Sequence, residues 1–386
     1  MTDFAVRARE ALAAQGYSMR RAARALPYDI AYLSRVLNGK QAPSARLAAA
    51  LDELLGTGAE LTALVTAPRG PARWLADREG GVEGGIEGDI AHVRAGVAHL
   101  LDHDHRYGAD QVAPAAVQIW RTAQRGLDGG AVPDRLRREY AAAVAEAAQV
   151  AGWLLFVADR QEAARAAFLE AYALACQAGD RSMQWFVQDM IAMQGVQNGC
   201  RLGESLRIAD AFLSGPRVPP RVALLAHLRR ARALAHAGDG ARALSEMKAA
   251  WAALGDSIGP RDPAWTWWLN ECELSGHEGE VRLALGEPAR ALPRLRRARE
   301  LAEAFRPAGS GAFYYGVAEV AACARARAWR DCEGALVSVH PLLATVSSGR
   351  SHNRLRRVLD GVVRDERAPS WLTDLVRDAD WSGTGR

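Results

Sequence analysis

At 386 residues the chain exceeds one ordinary hydrophobic core, and 49% hydrophobic with only 7% aromatic residues favours closely packed helices over β-sandwiches. Alanine has the best helix propensity, whereas strands want β-branched residues. The net charge of +4 is too small to make the whole protein a nucleic-acid binder, but residues 1–50 hold eight arginines and lysines against three acids, as a phosphate-facing module should.

The first elements in chain order are two short helices across a corner. Ser18 suits an N-cap, and Met19–Leu26 offers small residues that let a second helix cross closely. Pro27-Tyr28 break that helix, and Asp29 can cap the next. From Ile30 to Leu37, Leu33, Val36 and Leu37 fall on one face, and Ile30, Ala31, Ser34 and Arg35 on the other. Asn38-Gly39 then close the helix in a left-handed turn. A short helix with a polar outer face, packed on a partner across a tight turn, presents side chains to a DNA major groove.

Ala23, the run YLSRVLNGK from Tyr32 to Lys40, and Pro43-Ser44 ahead of a last helix near Ala45 to Leu55 resemble the Cro/C1-type (XRE) DNA-binding domain. The chain departs from that pattern at Pro27, where glycine is usual, and proline still suits a corner. The resemblance implies a five-helix helix-turn-helix domain over residues 1–65. Ile30, Ala31, Ser34 and Arg35 then face base edges, with Arg35 suited to a bidentate pair with guanine. Asn38, Lys40, Ser18, Met19 and Arg20 would hold phosphates and set register. Tyr32 fits either the groove or the domain core.

Residues 66–88 contain Pro68, Pro71 and six glycines and read as a flexible connection. Its GGVEGGIEG stretch lacks a following Lys-Ser or Lys-Thr pair and carries two glutamates, so it is no phosphate loop. The N-terminus has charges where a signal peptide needs an apolar run. No uninterrupted apolar stretch approaches membrane-spanning length, and a soluble cytoplasmic protein with no membrane partner is expected.

Residues 89–380 are helical almost throughout. A small residue, an apolar residue four later and a small or apolar residue three after that recur about every 40 residues. The copies are Ala164-Phe168-Ala171, Ser205-Ala209-Phe212, Ala243-Met247-Ala250, Ala291-Leu295-Ala298 and Cys332-Leu336-Val339. With turns such as Gly238-Asp239-Gly240 before the second helix, the pattern resembles the tetratricopeptide repeat, in a longer-spaced form. The overall fold class implied is all-α, the five-helix domain followed by a tetratricopeptide-like right-handed α-solenoid for effector binding and dimerisation. About six helix pairs are expected, the first atypical around Asp89 to Gly126, with Trp381 to Arg386 a frayed tail.

Chemistry-bearing motifs are sparse. Neither GxSxG, HExxH, Walker nor paired Asp-x-Asp patterns occur, and neither an enzyme nor a cofactor is expected. Five cysteines (Cys176, Cys200, Cys272, Cys323, Cys332) without a CxxC pair read as thiols in a reducing compartment. His99 and His103 share a helix face beside Asp102, Asp104 and His105, but the cluster ends like a solvated helix terminus, and no metal site is assigned. Extending the repeat register puts Gln149, Trp153, Met190, Gln194, Gln197, Arg232, Glu273 and Glu280 on the concave face, as an effector groove suited to an extended peptide. Trp265-Thr266-Trp267-Trp268 adds three large aromatics, marking a groove wall or a subunit interface.

The whole layout resembles actinobacterial Cro/C1-type regulators with a tetratricopeptide-like C-terminal domain and, more distantly, the peptide-pheromone-sensing regulators of Gram-positive bacteria. That implies a sequence-specific transcriptional regulator binding a double-stranded DNA operator as a homodimer. A signalling peptide, small molecule or partner protein would occupy the repeat groove. The alternative is a repeat-based protein–protein adaptor with a minor DNA-binding role.

Overall fold

The computed structural model describes residues 3–26, 30–38, 43–66, 85–197, 199–255 and 258–381. They divide into two compact units, Met1–Val82 and Glu83–Arg386, and every regular element among the described residues is a helix. The chain is thus all-α, as its composition demands.

The first unit holds α1 (Asp3–Ala14), α2 (Met19–Ala25), α3 (Ile30–Leu37), α4 (Ala45–Leu55) and α5 (Glu60–Thr66). Leu33, Val36, Leu37, Leu47 and Leu51 form its sealed centre. Serines start two of the helices: Ser18 Oγ accepts from the Arg21 amide at 3.2 Å, and Ser44 Oγ from the Leu47 amide at 3.1 Å. Asp52, buried on α4, starts α5 from a distance, its carboxylate accepting from the amides of Leu61 (2.9 Å) and Thr62 (2.8 Å) and from the hydroxyls of Thr57 and Thr62. Burial alone would push this carboxyl up, but those hydrogen bonds outweigh it and hold Asp52 below the usual carboxylate range.

The second unit is a solenoid of antiparallel helix pairs. α6 (Gly85–Tyr107) and α7 (Ala113–Asp128) lead, followed by α8 (Asp134–Val157) with α9 (Gln161–Ala178) and α10 (Arg181–Gln197) with α11 (Leu202–Ser214). Then come α12 (Pro220–His236) with α13 (Gly240–Ala253), and α14 (Glu271–Ala284) with α15 (Pro288–Phe305). Last are α16 (Ser310–Ala326) with α17 (Trp329–Val339) and α18 (Gly349–Arg364) with α19 (Ser370–Asp378). Every residue of the recurring signature lies on the second helix of its pair and is at most 5% exposed. The signature includes the stripe by which the second helix of a pair packs on the first: Phe168 meets Gly152, Ser205 meets Gly195, Leu295 meets Gly279 and Val339 meets Gly316.

Three sequence expectations are corrected. α6 begins at Gly85, so residues 85–88, read as connection, are its first turn; residues 67–84 lie outside the described set. Seven pairs occur among the described residues rather than six, because α19 buries Leu372, Thr373 and Val376 without the signature. Trp381 is not frayed: its Nε1 donates to the Val376 carbonyl at 3.0 Å and its ring meets His340 edge-on.

α8 is long and apolar enough by composition to cross a membrane, although Glu146 and Gln149 interrupt its apolar run. Yet 83% of its most apolar window is buried among neighbouring helices, as in a core helix. Gly152 on α8 permits this packing, since a Cβ there would stand 2.6 Å from the Phe168 ring on α9.

The solenoid also curls until its last pairs meet its first. Ser347 donates to the Tyr107 carbonyl (2.7 Å) and Asp110 to the Ser347 carbonyl (3.2 Å). The Gly349 amide reaches Asp110 (2.9 Å), and Asn353 donates to Asp159 (2.6 Å). Gly108 makes the closure possible: its φ is +83°, and a Cβ there would lie 2.1 Å from the Ser347 carbonyl oxygen. The concave face is therefore a chamber wall rather than an open groove.

Candidate functional site

In the first unit, α3 is held by one face. Leu33, Val36 and Leu37 are fully buried, while Arg35 and Asn38 are exposed and Ser34 is half-buried. Asn38 Nδ2 donates to Ser34 Oγ at 3.3 Å, joining two of the predicted DNA-facing residues into one polar edge. Tyr32 packs against the domain core, which resolves the alternative left open by the sequence. Ser18 is exposed and spends its hydroxyl as the cap of α2, and Met19, half-buried, packs its side chain against the core. Arg20, Ile30 and Ala31 fall within α2 and α3, with side chains outside the described set, as do Pro27, Tyr28, Asp29, Gly39 and Lys40 entirely.

In the second unit, the inner helices α8, α10, α12, α14, α16 and α18 surround a cavity of about 980 Å³. Seven of the eight residues expected on the concave face line it: Gln149, Trp153, Met190, Gln197, Arg232, Glu273 and Glu280. Gln194 does not, because its amide donates to the Gln161 carbonyl at 2.7 Å and ties α10 to the start of α9. The three tryptophans near position 266 also line the cavity, on a 3₁₀ turn, Ala264–Trp268. Trp265 stacks on Phe186 with centroids 4.4 Å apart and donates to Ser182 at 3.1 Å. Buried Arg221 secures this turn from α12, its guanidinium donating to the carbonyls of Thr266 (3.0 Å) and Leu269.

A polar seam runs around the inner wall. Arg229 grips Asp189 through two hydrogen bonds of 2.9 and 2.8 Å. His277 stands between Arg229 and Arg232, each with an Nη1 at 3.3 Å from one of its ring nitrogens. Burial and then those two guanidinium groups hold His277 well below its ordinary value, so the imidazole is neutral. Glu280 takes Arg354 at 2.6 Å and Arg232 at 3.9 Å, and those cations hold it below the carboxylate range despite its burial. Tyr315 donates to Glu273 at 2.9 Å; burial raises both, the tyrosine well above 10. Farther round, Trp153 Nε1 donates to Asp104 at 2.9 Å, and burial pushes that carboxyl up.

The histidine cluster on α6 is dispersed by this packing. His103 meets the Tyr107 ring, Asp104 points to Trp153, and His105 meets Trp267 edge-on. No group of three metal-ligating side chains stands together among the described residues.

Sequence reasoning missed Asp104, Arg229, His277, Tyr314, Tyr315, Arg350 and Arg354 as parts of the wall and seam. The signal was present: inner-face positions recur about every 40 residues, and the same register continued into α16 and α18 reaches Tyr314 and Arg350.

A family model described as a helix-turn-helix domain matches residues 3–65. No curated protein and no solved structure matches the chain. Residues 3–65 thus carry a helix-turn-helix domain, which supports a DNA-binding regulator.

Proposed function

We propose that this protein is a sequence-specific transcriptional regulator of the Cro/C1 type, cytoplasmic, whose tetratricopeptide-like domain binds an effector that changes how the N-terminal domain engages DNA. The observation that carries the reading is α3: its apolar stripe is sealed in the core while Arg35 and Asn38 stay exposed, in a unit that matches a helix-turn-helix family model. An exposed arginine on such a helix suits the two acceptors of guanine in the major groove. The effector half of the reading is supported by a half-open, aromatic-lined cavity of about 980 Å³, the upper end of small-molecule sites. Two recognition helices about one DNA turn apart would read a pseudo-palindrome, so the working form is a homodimer.

Selection of bound sequences from a random double-stranded pool tests the DNA role. The full chain should enrich a motif, with affinity that falls steeply as salt rises. Arg35→Ala should relax preference at one base pair by about 1–3 kcal/mol while leaving folding intact. A chain that enriches no motif even at low salt would sink the reading in favour of an adaptor.

A further inference from the structure

The chamber's chemistry narrows what it would hold, and the argument rests on the effector reading above. Its body is apolar: Met183, Met190 and Met193 face the cavity together with Trp153, Trp265 and Trp268. Methionine and tryptophan supply adaptable, polarisable contact to flat or irregular apolar shapes. The mouth is apolar too, since Trp267 and Phe305 line the cavity yet are 54% and 69% exposed. An extended peptide needs an open groove with both ends free, whereas here the last helices close on the first.

One cation in this wall has no counter-ion. Arg350, at the start of α18, lies with its guanidinium carbon 4.5 Å from the Phe156 ring, 4.7 Å from Tyr314 and 5.8 Å from Trp153. Three rings crowd its guanidinium, and none accepts a hydrogen bond from it. Among the described residues no ion pair or hydrogen bond engages it, and its Nε is buried without a partner. Its neighbours in the seam differ: Arg354 pairs with Glu280 and Arg229 with Asp189. Asp104 is the carboxylate that acts on Arg350, but it does not close to an ion pair. Its Oδ2 is taken by Trp153, and its Oδ1 is buried without a partner in a residue only 2% exposed. Arg232, 7% exposed, likewise keeps an unpartnered Nε beside the cavity.

Arg350 is half-buried with its Nε sealed, and holding a cation even partly out of water without a counter-ion is costly unless something supplies the missing charge. The planar guanidinium fork matches a carboxylate with two parallel hydrogen bonds. We propose that the chamber takes a small molecule with an apolar ring system and a single carboxylate, and that Arg350 is the anchor for that carboxylate. The anchor sits next to the ring closure, because Gly349 donates to Asp110 and Ser348 to the Val157 carbonyl. A ligand held there bears on the same helix that joins the two ends of the solenoid.

Calorimetric titration of the full chain tests this with phenylacetate, 2-naphthylacetate and 9-anthraceneacetate, each beside its primary amide, and with 2-naphthylmethylammonium. At least one acid should bind, about tenfold or more tighter than its amide, as a charge-assisted pair implies. Arg350→Met should bind acid and amide alike while staying folded at the temperature of the titration, since it loses ring contacts to Phe156, Tyr314 and Trp153 but no ion pair or hydrogen bond. Arg350→Lys should keep part of the preference for the acid. Equal binding of acid and amide, tighter binding of the ammonium at Asp104, or no binding by any acid would overturn the proposal. DNA affinity on a selected site separates this from the regulatory reading. An acid that binds without changing it leaves the ligand class standing and removes the regulation. A peptide pool that shifts DNA affinity where no acid binds does the reverse.

Discussion

Removing the Asp189 carboxylate should be among the most damaging single changes in the solenoid. Asp189 on α10 and Arg229 on α12 are 1% and 3% exposed and are joined by hydrogen bonds of 2.9 and 2.8 Å across adjacent inner helices. At an effective dielectric of about 20, unit charges roughly 3 Å apart attract by about 5–6 kcal/mol. Part of that offsets desolvation, and breaking a buried pair from one side typically costs about 3–5 kcal/mol. Asp189→Ala leaves Arg229 with the neutral His277 at 3.3 Å as its hydrogen-bonding neighbour and Glu273 as a more distant carboxyl, so most of the penalty of an uncompensated buried charge applies. The expected fall in melting temperature is about 6–20 °C for a unit of this size. Tryptophan fluorescence is the apt probe, because ten of the eleven tryptophans lie at or beyond position 120 and none lies in residues 1–65. Replacing both partners by apolar residues, Asp189→Leu with Arg229→Met, should restore most of the stability or exceed the parent by about 1–4 kcal/mol. If Asp189→Ala loses less than about 1 kcal/mol, or the double variant is as unstable as the single, the electrostatic account of this pair is wrong.

Two glycines should respond with opposite signs. Gly152→Ala drives a methyl to 2.6 Å from the Phe168 ring, which is fully buried and cannot yield, and should cost about 1–3 kcal/mol. Gly361→Ala on α18 meets open space and should stabilise by about 0.5–1 kcal/mol through helix propensity; urea unfolding of both variants checks the contrast. In the first unit, Asp52→Asn should destabilise by about 1.5–3 kcal/mol at pH 7, by weakening the charge-assisted bonds to Leu61 and Thr62. The folded Asp52 carboxyl is held below its unfolded value of about 3.9, so its stabilisation is complete above that pH and is lost as pH falls through the folded value. Hydrogen-exchange protection of the Leu61 and Thr62 amides should follow that course in the parent and be flat over the same window in Asp52→Asn.

Much of the fold was legible because its information is local. The cap Ser18, the apolar face of α3 and the repeat stripe are patterns within one or two turns of helix, and burial in the structure follows the last two. The charged wall was less legible. Arg350 lies in a charged run, GRSHNRLRR, where the repeat register points to an inner-face position but nothing in the run shows which rings surround it. Likewise Asp104 looked like part of an exposed helix end, whereas α8 arrives to place Trp153 against it.

By itself, the amino-acid order determined that this chain would be helical, that a helix-turn-helix module would lie at residues 3–65, and which small and apolar residues would be buried on the second helix of each pair. Those outcomes follow from propensity and a 3.6-residue period, which act over short stretches of chain. Tertiary structure alone decided that the concave face would curl around a cavity and that, among the described residues, the Arg350 guanidinium there would lack a counter-ion. Closure sums the small rotation between each pair and the next over many repeats. Its outcome depends on contacts such as Gly108 with Ser347 that lie more than two hundred residues apart, beyond the reach of any local pattern.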